Sequence, residues 1–251
     1  MTRGHDTLLD RCILITGGAR RVGAAIVQEL AGAGADVVIH CHRSRREAEM
    51  LAAQVRAGGR QAWVVDGDLG DPATLDPLMD RVLAATDGRL DGLVNNASSY
   101  PVSQVRTVRA RELDASVRLH GFAPLVLARR LAALGRPGSV VNVLDARITM
   151  YDAEHAAYHL GKRMLDSITR MLALELAPRI RVNAVAPGAV LPMDHEDAST
   201  LERLAAFNPL GRHGSPAGVA ACVRFLLAAD FITGQTLFYD GGYHLKAATY
   251  G

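Results

Sequence analysis

Short apolar runs alternate with longer stretches of helical periodicity along almost the whole chain. The runs are rich in Val, Ile and Leu without polar alternation, which is typical of strands buried on both faces of a parallel sheet. Seven strands are predicted, over Cys12–Thr16, Asp36–His40, Ala62–Val65, Gly92–Asn95, Ser139–Leu144, Ile180–Ala186 and Thr236–Tyr239. The intervening pattern predicts helices over Val22–Ala33, Ser44–Ala57, Pro72–Ala85, Arg106–Leu134 and Glu154–Ala177.

This alternation predicts an α/β fold. Repeated strand–helix–strand units with right-handed crossovers build a doubly wound, Rossmann-like domain with a parallel sheet and helices on both faces. No linker-like stretch or internal repeat divides residues 1–251, so a single domain is expected. The stretch at about 188–216 breaks the alternation, and we predict a substrate loop or lid there, because long loops in compact α/β domains are usually functional.

Composition narrows the class of protein further. Of the 251 residues, 49% are hydrophobic and 22% charged, and the net charge of +2 is too small to indicate a nucleic-acid or acidic-membrane partner. No apolar run reaches the ~18 residues of a membrane span. Cys12, Cys41 and Cys222 are scattered without a C-x-x-C pair, as expected of reduced thiols in a cytoplasmic protein without a metal site. Met1–Arg11 lacks the apolar core of a secretion signal.

A glycine-rich segment from Thr16 to Gly23 reads T-G-G-A-R-R-V-G between the first predicted strand and the first helix. Glycines there allow a tight turn and close approach of a pyrophosphate to a helix N-terminus, where free N–H groups and the dipole favour anions. A purely structural turn is the alternative. The candidate cofactor residues in this segment are Gly17, Arg20, Arg21 and Val22.

The end of the second predicted strand favours NADP over NAD. Residues 40–46 read H-C-H-R-S-R-R, with no carboxylate before Glu47 to bind a ribose 2′-hydroxyl. His42, Arg43 and Ser44 instead offer positive charge and a hydroxyl to a 2′-phosphate, which Arg20 is also expected to reach. A solvated basic helix start is the alternative, although basic residues oppose the dipole at that end of a helix.

Tyr158 and Lys162 stand four residues apart near the start of a predicted helix, so their side chains share one face. A lysine ammonium beside a phenol favours the phenolate and lowers its pKa, which makes Tyr158 a candidate proton donor. Of the 28 basic residues only Lys162 and Lys246 are lysines, so a position needing charge alone would normally carry arginine. Such a pair alone occurs by chance; the glycine-rich segment and Asn95-Asn96-Ala97 add weight here.

Taken in order, these motifs resemble the short-chain dehydrogenase/reductase family over essentially the whole chain. The matching pieces are T-G-x-x-x-R-x-G at Thr16, D-L at Asp68, N-N-A at Asn95, Y-x-x-x-K at Tyr158, P-G at Pro187 and D-G-G at Asp240. The resemblance implies a sheet in the order 3-2-1-4-5-6-7, hydride transfer from a nicotinamide, and a homotetramer built on the two longest predicted helices. The cofactor contacts it adds are Asp68 near the adenine, Leu69, Asn95, Ala97, Ser98, Lys162, Pro187 and Gly188.

The chain departs from that family pattern at three places. Arg21 replaces the middle glycine of the phosphate loop, Asp145 replaces the usual serine, and His120 replaces the usual helix asparagine. The first two changes are similar to the pteridine reductase branch, which carries T-G-x-x-(K/R)-R-(L/I)-G, H-x-H-R-S, N-N-A-S-S-(F/Y) and V-D-A before Y-x-x-x-K. The match runs from Ile13 to about Leu245.

The branch resemblance implies a planar, nitrogen-rich substrate. Asp145 is expected to engage ring N–H groups or to work with Tyr158 in relaying a proton to a ring nitrogen. The interpretation is an NADPH-dependent reductase of dihydrobiopterin, dihydromonapterin or dihydrofolate. Further substrate contacts are expected from Tyr100 by stacking on the ring, from Arg21 and Ser98 by touching both ligands, and from Asp194 in the lid.

Several alternatives stay open at this point. Asp145 fits a role in tying down a backbone turn, Tyr100 fits an ordinary loop aromatic, and His155 and His159 fit packing or interface positions. The whole chain fits a reductase of 3-oxoacyl thioesters or small ketones in the same family. A non-catalytic NADPH-binding sensor or scaffold is the alternative of another class, which the change to His120 favours.

Overall fold

The predicted strands pair into one parallel sheet in the computed structural model of the chain, which describes residues 8–192 and 199–248. The strand order is β3-β2-β1-β4-β5-β6-β7, and every neighbouring pair is parallel. The strands are β1 (Cys12–Ile15), β2 (Asp36–Cys41), β3 (Ala62–Asp66), β4 (Gly92–Asn95), β5 (Gly138–Val143), β6 (Ile180–Pro187) and β7 (Thr236–Tyr239). The predicted fold class and strand order are confirmed.

Helices cover both faces of this sheet. They are α1 (Arg21–Gly32), α2 (Arg45–Ala57), α3 (Leu75–Ala85), α4 (Ala110–Val117), α5 (Ala123–Ala132), α6 (Ala156–Glu175), α7 (Ser199–Ala205) and α8 (Pro216–Ala228). Along β1, Ile13 and Ile15 face a core shared with α1 and α8, whereas Cys12 and Leu14 face a second core shared with α3 and α5. Both faces of the strand are therefore buried, which explains why the sequence shows no polar alternation.

The single helix predicted over Arg106–Leu134 is wrong in two respects. The helix begins later, at Ala110, because the N–H of the preceding residue Arg109 donates to the Glu112 carboxylate at 2.8 Å and so caps the helix start. It is also interrupted, since Arg118–Phe122 form a π-helical turn between α4 and α5. Pro124 supplies the physical reason: it has no N–H to donate one turn back, and its ring needs extra room there.

The region expected to be a long loop contains a helix, α7 (Ser199–Ala205). The segment 193–198, including the predicted substrate contact Asp194, lies outside the described residues. Just before this segment, the carbonyl of Pro192 accepts a hydrogen bond from Arg21.

Cys12, Cys41 and Cys222 are all free thiols, the first two buried. Within the described ranges, none of the helices is long and apolar enough to span a bilayer.

Candidate active site

A groove of about 930 Å³ opens at the carboxyl edge of the sheet, where the strand order reverses between β1 and β4. In open α/β sheets this reversal leaves a crevice for ligands. The predicted site residues that line it are Gly17, Arg20, Arg21, Val22, His42, Arg43, Ser44, Asp68, Leu69, Ala97, Ser98, Tyr100, Asp145, Tyr158, Lys162, Pro187 and Gly188. Across residues 8–192 and 199–248, His, Cys, Asp and Glu side chains form no group of three suited to a metal ion.

Asn95, a predicted cofactor contact, is not among the residues that line the groove. Its side chain is buried and donates to Asn142 Oδ1 at 2.8 Å, and Asn142 in turn donates to Thr169 Oγ1 at 2.9 Å. Asn95 therefore ties β4 to β5 and α6. The neighbouring Asn96 lines the groove instead and donates to the carbonyl of Thr16 at 2.9 Å, which pins the start of the phosphate loop.

The glycines of the phosphate loop stand where no side chain fits. Gly17 has a φ of +61°, and a Cβ on it would lie 2.9 Å from the Cα of Ala97. A Cβ on Gly23 would lie 2.1 Å from the carbonyl oxygen of Gly17. The loop is consequently packed tightly beneath the N-terminus of α1, whose free N–H groups form a cradle for an anion.

Arg21 occupies the left-handed region of backbone conformation, with a φ of +55°. This is the position at which the family pattern has glycine, so the arginine is held in a conformation that L-residues rarely adopt. Its Nη2 donates to the carbonyl of Pro192 at 2.6 Å and thereby joins the phosphate loop to the segment that follows β6.

His40 is not part of the basic cluster that it adjoins in the sequence. It is buried, its Nδ1 accepts the N–H of Gly17 at 3.2 Å, and its Nε2 lies 3.1 Å from the carbonyl of Gly67. These partners require the hydrogen on Nε2. Burial lowers the pKa of His40 to about 4, so a neutral imidazole positions the phosphate loop.

Positive charge nevertheless accumulates where a 2′-phosphate is expected. Arg20, His42 and Arg43 are exposed beside the groove, and Ser44 precedes the first residue of α2. His42 Nε2 lies 3.9 Å from Asp68 Oδ2, a contact that places Asp68 at the same end. The predicted basic end of the site is thus assembled by the fold.

Asp145 lies directly after β5 and uses its two oxygens differently. Oδ1 accepts the backbone N–H of Arg147 at 2.8 Å, which caps the short 3₁₀ helix that follows. Oδ2 accepts the hydroxyl of Tyr158 at 2.8 Å. The two roles considered for Asp145, fixing a turn and meeting the tyrosine, are therefore filled together.

Arg147 is a site residue that sequence reasoning missed, because nothing distinguishes it from the other arginines of the chain. Its Nε donates to Asp145 Oδ1 at 3.1 Å and its Nη2 to Oδ2 at 2.9 Å. Burial by itself raises the pKa of Asp145, but the hydrogen bonds and charge of Arg147 outweigh it and hold that pKa below its ordinary value. Asp145 is thus a carboxylate at neutral pH.

The pKa of Tyr158 is not lowered toward the working pH in this structure, although Lys162 lies nearby. Burial, followed by the charge of Asp145, raises the pKa of Tyr158 well above its ordinary value. Lys162 Nζ donates to the carbonyl of Val143 at 2.7 Å and lies 5.8 Å from the tyrosine ring centroid. Burial lowers the pKa of Lys162 to about 8. Tyr158 is therefore a neutral phenol poised to donate.

His120 lies in the π-helical turn and bridges three segments. Its Nε2 accepts the N–H of Ser99 at 3.3 Å and lies 3.1 Å from Ser98 Oγ. The hydrogen consequently resides on Nδ1, which faces Ser116 Oγ at 3.0 Å. Ser116 donates onward to the carbonyl of Ala157 at 2.7 Å, so the histidine fixes the loop after β4 to α4 and α6.

The same histidine is a neutral imidazole near neutral pH. Burial, together with the nearby charge of Lys162, lowers the pKa of His120 to about 3. Its imidazole stands edge-on to the ring of Tyr158, with centroids 5.5 Å apart. The role of His120 is therefore to position the groove wall.

Tyr100 is held by a network that the sequence did not reveal. Its ring stacks on the imidazole of His155 at 3.9 Å and meets Tyr158 edge-on at 4.6 Å. Its hydroxyl accepts from Arg147 Nη1 at 2.7 Å, and the same Nη1 donates to Asp152 Oδ2 at 3.1 Å. Tyr100 is therefore a fixed wall of the groove, with one ring face covered by His155.

Comparison with known proteins places this site in a family. The family model described as enoyl-(acyl carrier protein) reductase matches residues 17–244. Pteridine reductase 1 of Leishmania tarentolae is 34% identical, over 94% of this chain and 96% of that protein. The 3-oxoacyl-[acyl-carrier-protein] reductase of Synechocystis is 31% identical, over 91% and 95%. The crystal structure of FolM alternative dihydrofolate reductase 1 from Brucella canis, complexed with NADP, is 37% identical with a TM-score of 0.84 and covers 94% of each chain.

The chain belongs to the short-chain dehydrogenase/reductase family. The residues present also fit the cofactor of that family. The glycine loop forms a cradle too tight for side chains. After β2 the chain has exposed arginines, which suit a 2′-phosphate, and not the carboxylate that would repel one. The chain is therefore an NADP-dependent oxidoreductase.

Proposed function

We propose that this protein is an NADPH-dependent reductase of pterin-type substrates, with dihydrobiopterin, dihydromonapterin or dihydrofolate as candidates. The observation that carries the proposal is the 2.8 Å hydrogen bond from Tyr158 to Asp145, at the position where the family pattern has serine. A serine hydroxyl suits the carbonyl oxygen of a ketone. A carboxylate beside a phenol suits a ring that carries both N–H donors and a nitrogen to be protonated.

The cofactor end of the groove would hold NADPH, which supplies a hydride to a ring carbon of the substrate. Gly17 and the N-terminus of α1 would receive the pyrophosphate, with Arg21 beside it. Arg43 and Ser44 would bind the 2′-phosphate by charge-assisted hydrogen bonds. Lys162, Pro187 and Gly188 also line the groove, and the nicotinamide is proposed to lie against them. The remaining proposed contacts are Arg20, Val22, His42, Asp68, Leu69, Ala97 and Ser98.

Tyr158 supplies the proton in this proposal. Its phenol is kept protonated by burial and by Asp145, and it donates to the ring nitrogen next to the carbon that receives hydride. Asp145 remains a carboxylate and accepts from N–H groups of the substrate. The buried ammonium of Lys162 lies close enough to stabilise the negative charge that develops on Tyr158 as its proton leaves.

The substrate side of the groove is proposed to be formed by Tyr100, Ser98 and Arg21, together with Asp194 beyond the described residues. One face of Tyr100 is covered by His155, so stacking on a planar ring requires its other face or its edge. Relatives named pteridine reductase 1 and alternative dihydrofolate reductase 1, at 34% and 37% identity, support this substrate class.

The test is the fall in NADPH absorbance with 7,8-dihydrobiopterin and with dihydrofolate. Wild type, Asp145→Ala and Asp145→Asn are compared with Asp230→Ala, which removes an exposed carboxylate just beyond α8 as a matched control. The expected result is turnover that persists in Asp230→Ala and is lost about 100-fold or more in both Asp145 variants. Tight NADPH binding without turnover of either pterin contradicts the proposal and leaves the ketone-reductase alternative and the sensor or scaffold alternative.

A second candidate is reduction of a 3-oxoacyl thioester or small ketone, favoured by the 31% identity to the Synechocystis 3-oxoacyl-[acyl-carrier-protein] reductase. The same absorbance assay with acetoacetyl thioesters and simple ketones separates the two. Ketone turnover by wild type, without pterin turnover, supports this candidate. Ketone activity that appears only in Asp145→Ser supports the pterin proposal, because it shows that the carboxylate excludes ketones.

A cytoplasmic homotetramer is the assembly we propose. Leu160, Met171 and Leu174 share one side of α6 and are 51%, 67% and 84% exposed, a pattern that leaves an apolar stripe for a second copy. Phe122, in the π-helical turn, is a further exposed apolar side chain at 41%. Light scattering on the peak eluting from a size-exclusion column measures the mass of the assembly. The Leu174→Glu substitution is expected to reduce that mass.

A further inference from the structure

Arg147 commits most of its hydrogen-bonding capacity to three side chains of the groove. Its Nε and Nη2 form a fork on the carboxylate of Asp145, at 3.1 Å and 2.9 Å. Its Nη1 donates to the hydroxyl of Tyr100 at 2.7 Å and to Asp152 Oδ2 at 3.1 Å. A guanidinium carries five N–H donors in a rigid plane, so four are used within the protein.

We propose that Arg147 is a positioning residue of the active site, which keeps Asp145 as a hydrogen-bond acceptor aimed at the substrate and fixes Tyr100 beside it. The inference rests on the proposed function and deepens it, because it assigns the recognition of ring N–H groups to one charged fork. Arg147 acts through its neighbours, since releasing it toward a substrate would leave the largely buried carboxylates of Asp145 and Asp152 without their counter-charge.

The fork is needed because the surroundings of Asp145 otherwise favour its neutral form. The carboxylate side chain is only 16% exposed, and burial works against its charge. From α6 it is faced by the phenol of Tyr158 and by the ammonium of Lys162, which is held by a backbone carbonyl. Neither of these replaces a bidentate guanidinium.

The other elements beside Asp145 contribute little positive charge to it. The loop after β4 brings Tyr100, and the segment before α6 brings Asp152 together with His155. The π-helical turn brings His120, which is neutral at the pH of interest. Arg147 is therefore the group that decides the ionisation state of Asp145.

A carboxylate that can only accept hydrogen bonds also restricts which edge of the substrate can face Asp145. A protonated Asp145 would donate to a ring nitrogen or carbonyl, whereas the ionised form accepts from N–H groups and repels carbonyl oxygens. Tyr158 then remains the only proton donor of the pair. The substrate class selected is a planar heterocycle whose N–H groups lie next to the bond that is reduced.

The first test is the pH dependence of kcat/KM for 7,8-dihydrobiopterin in wild type, Arg147→Met and Arg147→Lys. In Arg147→Met, burial prevails and the acid limb is expected to move up by about one pH unit or more. In Arg147→Lys, a point charge keeps the limb near its wild-type position, while kcat/KM falls because Tyr100 is no longer fixed. An unchanged acid limb in Arg147→Met overturns the inference.

Arg163→Met is the matched control, because this partly buried arginine of α6 donates to the carbonyl of Met150 and not to Asp145. Its pH profile is expected to follow wild type. A shift of the acid limb in Arg163→Met as large as that in Arg147→Met would attribute the effect to general loss of positive charge and overturn the inference.

The second test does not depend on turnover. We compare melting temperatures between about pH 3.5 and about pH 7 for wild type, Arg147→Met, Asp145→Asn and the double variant. Without Arg147 the folded protein favours protonated Asp145, so Arg147→Met loses stability as pH rises and its gap to wild type widens. In the Asp145→Asn background the effect of Arg147→Met should depend less on pH, with Asp152 as the remaining partner that Arg147 keeps ionised. A gap that is equal at all pH values in both backgrounds assigns Arg147 a packing role only and overturns the inference, whatever the pterin assay shows.

Discussion

The hydroxyl of Tyr158 lies 2.8 Å from Oδ2 of Asp145, although Tyr158 stands near the start of α6 and Asp145 caps the 3₁₀ helix that follows β5. One is a phenol held protonated and the other is a carboxylate held ionised. A proton donor and a hydrogen-bond acceptor therefore face the same part of the groove. This combination distinguishes the site from one built around a serine hydroxyl, and the following predictions depend on it.

Replacing Tyr158 by phenylalanine removes the proposed proton donor while keeping the ring that packs against Tyr100 and His120. Turnover of a pterin substrate should fall about 100-fold to 10,000-fold, the usual size of a general-acid contribution. The dissociation constant for NADPH, measured by fluorescence titration, should stay within a few-fold of wild type. A variant that keeps most of its kcat would show that the proton comes from another group.

Activity should decline on the alkaline side as Lys162 loses its charge. Burial lowers the pKa of this ammonium to about 8, so the form that stabilises negative charge on Tyr158 is depleted above that pH. The measurement is log kcat/KM against pH. Lys162→Met should be much less active and should lose this inflection. An alkaline limb that is the same in both proteins would assign it elsewhere.

His120 should make the protein less stable in acid and leave its activity near neutral pH unaffected by histidine titration. Its pKa is about 3 in the folded protein and about 6.5 in the unfolded chain. The unfolded state therefore binds the proton first, and stability present above about pH 6.5 is lost as the pH falls. His120→Asn should show a weaker dependence of the unfolding free energy on pH between about pH 6.5 and about pH 4, followed by urea denaturation.

Truncating the same side chain should also cost stability at neutral pH. His120→Ala leaves the N–H of Ser99 and the hydroxyl of Ser116 without the ring nitrogens that they contact, at a cost of about 1–3 kcal/mol. Met50→Ala, on the exposed side of α2, is a suitable control for a simple loss of side-chain volume on a helix. Equal unfolding free energies for His120→Ala and wild type would contradict the bridging role.

Arg21→Gly should separate backbone strain from cofactor binding. Glycine relieves a left-handed conformation that costs a non-glycine residue about 1–2 kcal/mol, which offsets the loss of the hydrogen bond to Pro192, worth about 1 kcal/mol. The unfolding free energy should therefore change little, while the KM for NADPH rises about tenfold. Arg20→Gly is the control, because Arg20 has an extended φ of −144° and gains no relief from glycine. A marked loss of stability in Arg21→Gly would contradict the strain assignment.

Arg43→Ala should reduce the preference for NADPH over NADH. The side chain is exposed beside the groove, where it is proposed to contact the 2′-phosphate that only NADPH carries. Steady-state measurements should give a KM for NADPH raised about tenfold or more, with little change for NADH. Arg46→Ala, a neighbouring exposed arginine within α2, provides the comparison. Equal effects on both cofactors would place the 2′-phosphate elsewhere.

The strands were predictable because they depend on local patterns, whereas their order followed from the family resemblance. Continuous apolar runs mean burial on both faces, and a parallel sheet with helices on both sides satisfies that requirement. The observed strands, such as β4 at Gly92–Asn95 and β7 at Thr236–Tyr239, match the predicted ranges to within a residue. The helix interruption at Arg118–Phe122 was not predicted, because the strong periodicity on both sides of Pro124 favours one continuous helix.

The sequence by itself determined which chemical groups this protein carries: a glycine-rich loop, a basic segment after β2, and Asp145, Tyr158 and Lys162 at fixed spacings. Only the tertiary structure decided their protonation and their partners. Those properties depend on burial and on contacts between residues distant in sequence, such as Arg147 with Tyr100, which no periodicity records. For the same reason, the fold makes His40 and His120 neutral positioning residues, turns Asn95 into a tie between strands, and gives Asp145 the counter-charge that keeps it ionised.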